Sequence, residues 1–133
     1  MSNPTFRSGP ISYKAAEDVT KFRLVTVGEK GVKHAAATGA VFGAVTENAA
    51  AEKEDTPANT LALGSPHIVA VHIGPATVPL EVAGTASEIK QGAPVYAAAD
   101  GKVSATGTIL VGFAARPGDN KTVKTTLVTP VAG

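Results

Sequence analysis

The sequence predicts an all-β fold: a small β-barrel or β-sandwich of about nine to eleven short strands, with one short helical turn and an extended N-terminal arm. Three observations carry this. Apolar and polar residues alternate over short runs, the period of a half-buried strand. Those runs are separated by Gly-, Pro- and Asp-containing turns. The apolar content is also made of small side chains, with 24 Ala and 16 Val against 6 Leu and 5 Ile, beside 15 Thr, 14 Gly and 9 Pro. A core built this way must bring backbone close to backbone.

The elements follow in order. Residues 1–10 hold two prolines and little to bury, so they read as the arm; residues 11–133 read as a single β-domain. Ile11–Tyr13 reads as a short strand and Ala15–Lys21 as a polar turn, up to one helical turn. Phe22–Val27 is a strand with Phe22, Leu24 and Thr26 on one face and Val25 and Val27 on the other. Gly28-Glu29-Lys30-Gly31 turns it into Val32–Ala37 as a hairpin. Thr38-Gly39 turns again, and Val41–Val45 is a strand with Gly43 inside it. A glycine inside a strand marks a bulge or a close backbone approach.

Glu47–Asp55 is rich in Ala and acid but has no apolar stripe, so it reads as a loop or a short surface helix. Thr60–Leu63 reads as a strand. Ile68–Ile73 alternates, and Gly74-Pro75 breaks it. Val78, Leu80 and Val82 alternate on the return strand, where Pro79, lacking an N–H, must face a sheet edge or a bulge. Thr85-Ala86-Ser87-Glu88 fits a capping box ending at Gly92, which predicts one helical turn. Pro94–Ala98 and Lys102–Ala105 flank Asp100-Gly101, a strong tight-turn signal. Thr108–Ala114 and Val123–Thr129 complete the strands.

The order also repeats. Leu24–Gly43 and Val95–Gly112 both run strand, turn, strand, Thr-Gly, apolar strand, Gly. The segment from Thr38 to Gly43 lies beside that from Thr106 to Gly112 with a one-residue offset. A repeated β-unit and the reuse of common turns in a hairpin-rich chain both account for this.

Composition excludes several function classes. Lys and Arg number 12 against 11 Asp and Glu, and the basic residues are scattered singly, which disfavours nucleic-acid binding. Cys is absent, which removes disulfides, thiolate catalysis and thiolate metal sites. The N-terminus has no apolar h-region and no stretch approaches the length of a membrane span, so neither a secretory signal nor membrane association is expected. Asn120-Lys121-Thr122 matches the glycosylation pattern by chance.

Candidate chemistry is sparse. His67 and His72 are expected on opposite faces of one strand and His34 lies on another, so no metal site is expected. Ser87-Glu88-Ile89-Lys90 matches an S-x-x-K pattern without the companion motifs of penicillin-binding enzymes. Glu47, Glu52, Glu54 and Asp55 form an acidic cluster with Ala where a calcium loop needs oxygens. No enzyme activity and no cofactor are expected. A surface role remains.

Three segments then fall into a known pattern: Gly92-Ala93-Pro94-Val95-Tyr96, Asp100-Gly101-Lys102-Val103, and Leu110-Val111-Gly112-Phe113-Ala114. With Leu24–Val27, Gly31-Val32-Lys33, Val41–Val45 and Glu47-Asn48-Ala49, they make the chain resemble the capsid cement, or head decoration, proteins of tailed bacteriophages over roughly residues 11–129. It departs from that pattern in a longer N-terminal arm and in a longer Thr56–Ser65 segment.

The resemblance implies a non-enzymatic virion protein, made in the host cytoplasm and placed on the outer surface of the head. Its partner would be the major capsid protein, whose neighbouring subunits it bridges, and it would act as a homotrimer. The arm, with Phe6, Arg7, Pro10 and Ile11, is expected to order on the capsid and supply contacts. The competing reading is a β-rich receptor- or carbohydrate-binding module, against which stand the absence of Trp and the presence of only two Tyr, Tyr13 and Tyr96.

Overall fold

The computed structural model describes residues 10–50 and 67–132. Phe6, Arg7, the expected strand Thr60–Leu63 and most of the acidic cluster lie outside these residues. The described chain forms ten strands: β1 (Ile11–Lys14), β2 (Arg23–Gly28), β3 (Gly31–His34), β4 (Gly43–Val45), β5 (Ile68–His72), β6 (Thr77–Glu81), β7 (Pro94–Ala97), β8 (Val103–Ser104), β9 (Leu110–Ala114) and β10 (Thr122–Leu127). The all-β expectation holds, and ten strands fall within the expected number.

The strands make two five-stranded antiparallel sheets, ordered β1-β5-β4-β2-β3 and β6-β10-β9-β7-β8. The second order is the first with every strand number raised by five. The chain is therefore two units of one topology. Each sheet also curls until its outer strands meet. A parallel bridge joins Ala15 to Val32 in the first unit and Val82 to Val103 in the second. Both are followed by the same hydrogen bond, Ala16 N–H to Val32 O and Ala83 N–H to Val103 O. Closure of this kind covers the open edges of a sheet.

The registers fix the equivalences. Val25 pairs with Gly43 in the first unit and Val95 with Gly112 in the second. The next pair on β7 and β9 is Tyr96 with Leu110, so the register skips Val111. That skipped residue is the one-residue offset between the two sequence repeats, and physically it is a β-bulge. The close backbone approach expected at the strand glycines is also present. A Cβ on Gly43 would strike His72 O, and one on Gly112 would strike Thr126 O.

Two cores result. One lies inside the first curled sheet, built from Ala15, Val19, Val25, Val32, Val45, Ala49, Val69 and Val71. The other fills the second sheet with Leu80, Ile89, Val95, Val103, Ala114 and Val123, and extends to Leu24, Ala35, Val41 and Ala44 of the first. Leu24 and Val25 are thus both fully buried, on opposite faces of β2. The alternation that reads as one buried and one exposed face in a sequence is here a strand buried twice, once by its own sheet's interior and once by the other sheet.

Several local expectations are corrected. Residues 15–21 form no helical turn; Val19 instead exchanges two hydrogen bonds with Ala49 and is buried beneath them. Phe22 lies outside β2, with φ of 63°. The strand after Gly31 stops at His34; Ala35 N–H still reaches its register partner on β2, Leu24 O, and residues 36 and 37 lie outside the strand. Thr85 makes no side-chain cap, so the capping box does not form. The one helical turn expected there is present as a single 3-10 turn, Ala86–Glu88, and Ile89 is buried just beyond it. A second 3-10 turn, Ala99–Gly101, carries Asp100 and Gly101 at φ of 57° and 76°. These are the two left-handed residues of the expected Asp-Gly turn.

Pro79 sits where its missing donor is harmless. Strand β6 is an edge of its sheet. Val82 N–H points to Lys121 O on the β10 side, whereas Glu81 N–H points away from it to Phe22 O. Pro79 shares the parity of Glu81, so its nitrogen faces outward too.

Candidate interaction surface

The three histidines are each tied to local structure. His34 Nε2 accepts the Thr20 N–H at 2.9 Å, and the His34 N–H donates to Glu17 Oε1 at 3.1 Å. Burial, with the Arg23 charge next in size, lowers the His34 pKa below the usual imidazole value. His67 Nδ1 lies 3.0 Å from Ala50 O, and His72 Nε2 lies 3.5 Å from Thr46 Oγ1. Among the described residues no group of three or more His, Asp or Glu could hold a metal ion.

The S-x-x-K residues are part of the turn that precedes β7. Lys90 Nζ reaches the Ser87 backbone carbonyl at 3.4 Å, not its hydroxyl, and Ile89 between them anchors the core. One open cavity of about 350 Å³ is lined by Arg116, Pro117, Asp119, Asn120, Thr122 and Lys124. It is the rim of the turn before β10. Asp119 Oδ1 is already engaged by the Asn120 N–H, and Asp119 and Thr122 exchange backbone bonds. Its groups are two cations, a carboxylate, an amide and a hydroxyl, with no nucleophile held against a base.

A charged cluster joins the two units. Arg23 Nη2 meets Glu81 Oε2 at 3.2 Å, Lys102 Nζ meets the same oxygen at 3.4 Å, and Arg23 Nη1 donates to Asp100 O at 3.4 Å. The Gly101 N–H donates to Ala35 O beside them. These groups hold the β7–β8 turn against β2, so their role is to fix the units to each other.

Large exposed apolar side chains lie elsewhere. Among the described residues they are Ile68, Phe113 and Val128. Phe113 is on β9, where it pairs with exposed Pro94 of β7 and with Thr126 of β10. Thr126 pairs in turn with Thr77 of β6, and their hydroxyls meet at 2.8 Å. Val128 follows Thr126 by two residues, on the same side of the strand. Pro94, Phe113, Thr126 and Thr77 therefore form one row across the outer face of the second sheet. Sequence reasoning missed this row, because Phe113 in a run of apolar residues reads as core.

Of the expected contact residues, Pro10 is exposed and Ile11 opens β1, half-buried and paired with Val71. The arm thus leads directly into a sheet strand. Among the described residues no helix is long and apolar enough to cross a membrane. No family model, curated protein or solved structure matches the chain.

Proposed function

We propose that the chain is a capsid decoration protein: it binds the outer surface of a phage head and stabilises contacts between major capsid subunits. The role is structural, with no catalytic step, and the working form is a homotrimer. One observation carries most weight. The residues of the motif pattern, from Gly92 to Ala114, build the adjacent strands β8, β7 and β9, and the outer face of those strands bears exposed Pro94 and Phe113. The pattern thus frames an outward face suited to assembly between copies of the chain. Two closed units packed through a shared core also suit a part that must resist deformation. Several weak contacts per oligomer would sum to strong attachment.

The test is addition of purified protein to heads that lack it. Saturable co-sedimentation, density on the outer shell by cryo-microscopy, and DNA retention to higher temperature are expected. Absence of co-sedimentation at about 50 μM protein, where even weak specific contacts register, would overturn the reading. Removing residues 2–10 is expected to weaken attachment while leaving the β-domain's melting unchanged.

A further inference from the structure

The two units are equivalent in topology but unequal in what covers them. In the first unit Leu24 of β2 pairs with Ala44 of β4. The equivalent pair in the second unit is Pro94 with Phe113. Leu24 and Ala44 are 0% exposed, whereas Phe113 is 44% exposed and Pro94 is open beside it. The difference has one structural cause. The second unit lies over the first unit's row: its β7–β8 turn places the Gly101 α-carbon against Leu24 O, and its Val131 bridges Val41. In the described residues nothing lies over the second unit's row.

We infer that the row Pro94–Phe113–Thr126–Thr77 is a self-association face, covered by a second copy of this chain. The copy covers it as the second unit covers the first, through a hairpin tip. The counterpart of the β7–β8 turn in the first unit is the β2–β3 turn, Gly28–Gly31, whose Glu29 and Lys30 are exposed. The contact therefore joins the β2–β3 turn of one copy to the β7–β9 face of another.

The two surfaces differ, so the contact is head-to-tail and must close into a ring or run on as a filament. The number three in that ring rests on the decoration reading; the face itself does not. Arg23 of the first unit corresponds to Ala93 in the second, so the contact lacks the intramolecular cation and is apolar in its centre. Apolar side chains clustered on one face of a soluble domain commonly mark such contacts.

Light scattering at about 100 μM, a concentration at which modest contacts are populated, reads the prediction directly. The wild-type chain is expected above monomer mass, and Phe113→Asp is expected at monomer mass with unchanged circular dichroism. Should Phe113→Asp fail to fold, Thr126→Arg on the same row serves instead. A monomeric wild type overturns the inference. A Phe113→Asp or Thr126→Arg variant that stays assembled like wild type overturns the face while leaving the decoration reading intact.

Because the chain has no cysteine of its own, a second readout fixes the direction. Lys30→Cys and Thr126→Cys proteins are mixed and oxidised. A disulfide between the two variants supports the head-to-tail contact. Bonds found only within each variant alone, or none at all, overturn it.

Discussion

Phe22 and Gly92 hold the same place in the two halves of the chain. Each precedes the second strand of its unit with a positive φ, 63° and 84°, and each donates its N–H to the equivalent carbonyl, Val45 O and Ala114 O. One half uses the residue suited to that backbone and the other holds a bulky side chain there. A side chain in this region costs about 1–2 kcal/mol. Phe22 is kept by its fixed neighbours and by Lys21, whose ammonium sits 5.3 Å from the ring centre. Phe22→Gly is therefore expected to be more stable than Phe22→Ala by about 1 kcal/mol, the reverse of the usual strand order. A Cβ at Gly92 meets nothing within 4 Å, so Gly92→Ala is expected to cost about 1 kcal/mol from backbone strain alone. Urea denaturation of the three variants checks both statements.

The strand glycines give a sharper case. Gly43→Ala drives a methyl group into His72 O and the Val71 side chain, and Gly112→Ala does the same to Thr126 O and Thr125. His72 and Thr126 are equivalent, as are Val71 and Thr125. Neither backbone carbonyl can move without breaking its sheet, so each substitution is expected to cost about 3 kcal/mol, the upper end for overpacking. Equal losses in chemical denaturation would show that the two units share the constraint; a neutral Gly112→Ala would show that the bulge at Val111 absorbs it.

Much of this frame is legible in the residues. The Asp-Gly turn, the edge position of Pro79 and the strand glycines follow from backbone rules that act locally. The repeat is visible only as a weak pattern, because equivalent positions share shape and not identity: Tyr13 answers to Leu80, Val71 to Thr125, Val19 to Ile89. The bulge and the chain between equivalent bridges obscure it further. Eighteen positions separate Ala49 from His67, but three separate Gly118 from Lys121. Burial on both faces of β2, and exposure of Phe113, depend on how the units stack. No local pattern carries that, which is why the outer row was not foreseen.

Thr125 offers a test of the equivalence itself. It is fully buried inside the second unit, and its hydroxyl donates to Val123 O at a stretched 3.3 Å. Val71 fills the same place in the first unit. Thr125→Val removes a buried polar group of similar shape and is expected to be neutral or stabilising by up to about 1 kcal/mol. Val71→Thr adds a buried hydroxyl whose equivalent acceptor is Val69 O, at the same stretched reach, and is expected to cost about 1–3 kcal/mol. Opposite signs in the two denaturation midpoints would support the correspondence, and equal signs would contradict it.

The Arg23–Glu81–Lys102 cluster is expected to respond asymmetrically. Glu81 is shared by two cations, and both Arg23 and Glu81 are largely shielded, at 18% and 29% side-chain exposure. Glu81→Ala leaves the Arg23 guanidinium without its carboxylate at the junction of the units and is expected to cost about 1–3 kcal/mol, the range for stranding a charged hydrogen-bonding group. Lys102→Ala removes the more exposed cation and is expected to cost no more than about 1 kcal/mol. Added salt should narrow the gap between the Lys102 variant and wild type more than that of the Glu81 variant, since the shielded pair is less screened.

His34 makes stability depend on pH. Its Nε2 accepts the Thr20 N–H only when unprotonated, and burial, reinforced by Arg23, lowers its folded pKa below that of the unfolded chain. The unfolded state therefore binds the proton first as pH falls. Above about pH 6.5, the ordinary imidazole value, both states are neutral and the contribution is complete. Below it the unfolded chain gains protons that the folded chain resists, so stability declines until the folded value is passed. Urea midpoints taken from pH 8 to pH 5 in wild type and His34→Gln isolate this group, because the rest of the chain is the same in both proteins. Wild type is expected to lose more stability than the variant over that interval. A parallel decline in the two would mean that the Thr20–His34 bond contributes nothing to the acid sensitivity of the fold.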